Sequence, residues 1–75
     1  MRVRFVKWEE GYNAIELAKL IKQSTQLGLL GSKECVDRIL GGEITEIDLN
    51  DGIVPDLFLK EALKCNVVAE LLPHR

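Results

Sequence analysis

Along residues 2–8 (RVRFVKW) apolar and charged positions alternate with a period of two: Val3, Phe5 and Lys7 fall on one side, and Arg2, Arg4, Val6 and Trp8 on the other. Alternation rich in β-branched and aromatic residues predicts a strand, and Glu9-Glu10-Gly11 ends it. From Asn13 the period changes. Ile15, Leu17, Ala18, Leu20 and Ile21 make one apolar face, with Glu16, Lys19, Lys22 and Gln23 opposite, as in an amphipathic helix. Asn13 is placed to cap it and Glu16 to reach back, as in a capping box. The helix should end near Thr25 or Gln26, with Gly28 as a left-handed exit.

Leu27 to Gly31 (LGLLG) is expected to be an apolar turn. Ser32 then caps a second helix of about nine residues, too short to stand without tertiary packing. Glu34 falls in its first turn, Cys35, Val36, Ile39 and Leu40 form its buried stripe, and Gly41-Gly42 stops it. Residues 43–49 (EITEIDL) alternate again, with Thr45, Ile47 and Leu49 on one face, and predict a second strand. After the turn signal Asn50-Asp51-Gly52, Pro55 suits the first turn of a third helix. Its apolar side is Leu57, Phe58, Leu59, Ala62 and Leu63, and Asp56 and Lys60 have the spacing of an ion pair. Asn66 closes it in the left-handed conformation, and residues 67–72 form a third strand before Pro73. The expected fold is α+β: a two-layer sandwich of order β-α-α-β-α-β. Three helices should cover one face of a three-stranded antiparallel sheet. At 75 residues, residues 1–75 make a single domain with a thin core.

The apolar share of 47% and charged share of 29% are those of a globular chain. No apolar run approaches the ~20 residues that span a bilayer, and Met1-Arg2-Val3-Arg4 does not open a secretory signal, so the expected address is the cytoplasm. Net charge is −2, which makes nucleic acid an unfavoured partner. The charge is uneven, +2 over residues 1–40 and −4 over residues 41–75, so the first half can orient an acidic partner. Cys35 and Cys65 read as buried thiols. With His74 the sole histidine, at the end of the chain, the expectation is no metal and no cofactor. No nucleophile stands with a base and no phosphate loop is present, so no catalytic residue is assigned.

Ala14 to Leu29 (AIELAKLIKQSTQLGL) and Lys33 to Ile39 (KECVDRI) carry a resemblance to the C-terminal domain of the bacterial ribosomal stalk protein, the L7/L12 family. Lys19 and Lys22 match that family's two basic helix positions, and Thr25, Leu27, Gly28 and Leu29 match its turn. Lys33, Glu34, Asp37 and Ile39 match its second helix. The resemblance implies the same β-α-α-β-α-β fold and a docking role. The first two helices would offer Ile15, Ala18, Lys19, Lys22, Gly28, Lys33 and Glu34 to a GTP-hydrolysing translation factor or a ribosome-associated protein. Three departures stand beside it. Val36 replaces a lysine, Leu30-Gly31-Ser32 should lengthen the inter-helix turn, and a dimerisation segment and hinge are missing from the sequence, which implies a freestanding relative, monomeric or weakly dimeric.

Two alternatives remain open at this point. The ClpS peptide and protease adaptor shares the fold but places acidic and histidine groups that are not matched here. A small RNA-binding module would use Arg2, Arg4, Lys7 and Trp8 as a basic strand with an aromatic.

Overall fold

The computed structural model describes residues 1–73; His74, assigned above to the chain's end, lies outside the described residues. The order is β1 (Arg2–Trp8), α1 (Ala14–Ser24), α2 (Gly28–Leu40), β2 (Thr45–Asp48), α3 (Pro55–Lys64) and β3 (Val67–Leu71). Among the described residues the strands form one antiparallel sheet ordered β2-β1-β3. The expected β-α-α-β-α-β sandwich is therefore the observed fold.

The alternating residues of the strands separate two chemistries. Val3 and Phe5 on β1, Ile47 on β2 and Val67 on β3 point to the helices and are buried, with Leu17, Ile21, Val36, Ile39, Phe58 and Ala62 packed against them. The rings of Phe5 and Phe58 lie 6.2 Å apart at 57°, a tilted arrangement that aromatic quadrupoles favour. The opposite sheet face is a charged ladder. Arg2 pairs with Asp48 (3.1 Å) and Glu46 (3.3 Å), and Arg4 with Glu46 (3.3 Å) and Glu70 (3.4 Å). Hydrogen bonds from Arg2 hold the Asp48 carboxyl below its ordinary range and raise the guanidinium above its own.

A bulge interrupts β1. Phe5 pairs with Ala69, yet Lys7 pairs with Val68 and Trp8 with Val67, so one extra residue is inserted near Val6. The shift turns Trp8 to the helix side, whereas strict alternation assigns it to the face of Arg2 and Arg4. There its ring lies 5.9 Å from that of Tyr12.

Local signals fix most of the helix ends. Asn13 Oδ1 accepts from the Glu16 amide at 3.1 Å, as expected. The reciprocal half of the capping box is absent, because the Asn13 amide donates to the Cys65 carbonyl and the Glu16 side chain lies against Lys19. Thr25 closes α1: its hydroxyl donates to the Ile21 carbonyl at 2.7 Å and its backbone is extended. At the end of α2 the Gly42 amide reaches Ile39 and the Glu43 amide reaches Arg38, a Schellman closure that needs the left-handed φ of +83° at Gly42.

The second helix departs from expectation. It begins at Gly28, not Ser32, and runs 13 residues. Gly28 does adopt a left-handed φ of +73°, but as the first residue of α2. Residues 30–32 are helical, so they do not lengthen the turn. Ser32 is fully buried, and its hydroxyl donates to the Gly28 carbonyl one turn back at 2.6 Å. Glu34 therefore lies in the middle of the helix. On α3, Phe58 and Ala62 are buried and Leu59 partly so, while Leu57 and Leu63 are exposed. The ion pair on that helix is Glu61–Lys64 (3.3 Å), in place of Asp56–Lys60.

Candidate docking groove between the first two helices

The chemistry of the helical layer concentrates in the crease between α1 and α2. A groove of about 450 Å³ runs along it. Positions 14, 15, 18, 19 and 22 of α1 supply one wall, as one helical face must. Leu29, Lys33, Val36 and Asp37 of α2 supply the other.

Its floor is apolar. Val36 is buried and Ala14 and Ala18 are half-buried. Ile15 keeps 71% of its surface exposed and Leu29 50%. A short strip of aliphatic surface thus remains in water with no partner among the described residues, although α1 and α2 already bury their other faces in the core. The rim is basic. Lys19, Lys22 and Lys33 stand around the strip against one aspartate, Asp37. Lys19 has a loose exposed pairing with Glu16 at 3.6 Å, and Lys22 and Lys33 have no ion pair among the described residues. Such exposed pairs contribute little, so all three ammonium groups stay available to an anionic partner.

One hydrogen bond ties the residue before the α1 cap to α2 beneath this groove. Tyr12 donates its hydroxyl to the Val36 carbonyl at 3.2 Å. Burial first, and then the neighbouring Cys65 and Asp37, push its phenol up to about 12. Cys35 and Cys65 are free, buried thiols, both raised by burial.

Of the seven residues proposed from sequence, Ile15, Ala18, Lys19, Lys22 and Lys33 line the groove together. Gly28 and Glu34 do not. Glu34 faces the opposite side of α2, where it lines a wider and more polar hollow with Gln26, Arg38 and the β2 strand. The sequence reading missed Ala14 and Asp37 as lining residues and took Leu29 and Val36 as turn and core. Extending α2 back to Gly28 would have shown them, because Leu29, Lys33, Val36 and Asp37 then follow a helical repeat. Val36 gives the groove apolar floor. The basic strand of the RNA-binding alternative is also rearranged: Arg2 and Arg4 are held by acids, and Trp8 is on the other face.

Among the described residues no three His, Cys, Asp or Glu side chains gather where a metal ion could bind, and no helix is long and apolar enough to cross a membrane. Comparison of the chain with protein-family models, with curated proteins and with solved structures finds no match.

Proposed function

We propose that this chain is a small, non-catalytic protein-interaction domain of the cytoplasm that receives one amphipathic, acidic helix of a partner protein in the α1–α2 groove. The observation that carries the reading is the exposed strip of Ile15 and Leu29 enclosed by Lys19, Lys22 and Lys33. A helix laid in a groove gains affinity from buried aliphatic anchors. Carboxylates on its flanks would meet the lysines, which speeds encounter and fixes orientation. The resemblance of residues 14–29 and 33–39 to the stalk-protein C-terminal domain supports the same surface and makes a translational GTPase or a ribosome-associated factor the partner class.

The test is a titration of isotope-labelled protein with purified translational GTPases, alongside capture of proteins from a bacterial lysate. Amide signals of residues 15–22 and 29–37 should shift, and Lys19→Glu with Lys22→Glu should abolish both readouts while leaving the circular dichroism spectrum unchanged. Equal binding by wild type and the double variant refutes the assignment.

A further inference from the structure

The sheet has two open edges, and their chemistry differs. We infer that β3 is a self-recognition edge: two copies of this chain join antiparallel through Val67–Leu71, two-fold about Ala69, into a six-stranded sheet.

The hydrogen-bond register sets the geometry. The Leu72 amide donates to the Arg2 carbonyl, and the Glu9 amide to the Asn66 carbonyl. In an antiparallel ladder such inward-bonded positions alternate, so Asn66, Val68, Glu70 and Leu72 turn their backbone groups to β1. The N–H and C=O groups of Val67, Ala69 and Leu71 therefore lie along the open edge. Pairing about Ala69 matches Ala69 with its own copy and Val67 with Leu71 of the second copy, satisfying all three open positions on each strand.

The side chains agree with that register. On the outer face Val68 comes opposite Glu70 of the second copy. Arg4 flanks Glu70 on its own sheet (3.4 Å), and Lys7 pairs with Val68. The row across the joined face then reads Arg4, Glu70, Val68, Lys7: each glutamate keeps its own Arg4 on one side and meets an aliphatic side chain across the seam, and no like charges are opposed. On the helix side the same edge carries a mostly apolar hollow of about 260 Å³ between α3 and β3, bordered by Leu59, Leu63, Val67 and Ala69 with Lys60 at its side, and Leu63 is 59% exposed. The second copy's α3 would cover it. β2 is the opposite case. Its four residues (TEID) set Glu46 and Asp48 against acids if two copies pair there, the protection usual for an edge strand.

The experiment is sedimentation equilibrium with amide hydrogen exchange over a dilution series up to millimolar protein. Dimer should form with concentration, and the Val67, Ala69 and Leu71 amides should gain protection in step, while Val68 and Glu70 are protected throughout. Ala69→Pro deletes the central outward donor and should give a folded monomer. Val68→Glu, which sets acid against acid twice per dimer while keeping Lys7 beside it, should weaken dimerisation by about tenfold, and it decides the matter if the proline variant fails to fold. Lys19→Glu with Lys22→Glu should leave the dimer intact, which separates this edge from the groove. A strictly monomeric wild type, or a dimer in which those three amides exchange freely, overturns the inference.

Discussion

Trp8 Nε1 donates to the Leu40 carbonyl at 3.1 Å, joining the end of β1 to the last turn of α2 across 32 residues of sequence. The final four carbonyls of a helix lack partners within it, and here each finds one. Asp37 accepts from Gly41, Arg38 from Glu43 and Ile39 from Gly42, leaving Leu40 for the indole. Trp8→Phe keeps the ring against Tyr12 but orphans that carbonyl. It should cost about 0.5–1.5 kcal/mol in chemical denaturation. A variant as stable as wild type would show that water replaces the bond without loss.

Two isoleucines on α1 separate core from docking surface. Ile21 is fully buried and Ile15 is 71% exposed. Ile21→Ala should destabilise by about 2–5 kcal/mol, and Ile15→Ala by no more than about 0.5 kcal/mol while weakening partner binding. Thermal melts of both variants check the first pair of values. A large loss of stability from Ile15→Ala would place that side chain in the core.

The Tyr12 phenol gives the pH dependence a definite window. Its value is about 12 in the folded chain, against an ordinary 10, so the native state holds the proton where the unfolded state releases it. The contribution to stability is complete below pH 10 and falls as pH rises through 12. Ultraviolet titration should show ionisation delayed towards pH 12 and coinciding with unfolding. As Tyr12 is the one tyrosine of the chain, Tyr12→Phe should abolish the phenolate signal and give up the bond to Val36; phenolate forming near pH 10 in native protein contradicts the assignment.

Both thiols are buried and raised by that burial, Cys35 with Glu34 adding to the effect and Arg38 opposing it. The reacting species is the thiolate, so native protein at pH 8 should react slowly with an aromatic disulfide reagent and denatured protein at once. Immediate modification of either cysteine in the native state would reveal opening of the layer over it.

Much of this architecture is legible in the sequence because local chemistry and packing agree. Asn13 caps, Pro55 opens a helix, Gly41-Gly42 closes one, and Val3/Phe5 and Thr45/Ile47/Leu49 alternate as buried strand faces do. Misreading enters where one residue type has two local uses. Ser32 can cap a helix or bond one turn back within it, and burial selects the second use, which adds a turn to α2. Trp8 is misplaced for a longer-range reason: the bulge belongs to the pairing of β1 with β3, far along the chain (Lys7 with Val68), and the alternation of β1 alone carries no trace of it. The groove was legible on α1, whose lysines and small residues lie at helical spacing. On α2 it was half hidden, since its lining could be counted only after the true helix start was known.

The central place of β1 governs how this domain is made. β1 is made before both strands it pairs with, because one neighbour arrives with residue 45 and the other with residue 67. Until the second arrives, Val3 and Phe5 have only β2 beside them, and the α1–α2 hairpin lies over an unfinished layer. Closure of the sheet therefore waits on β3, and a chain cut before residue 67 would leave β1 with one strand neighbour in place of two.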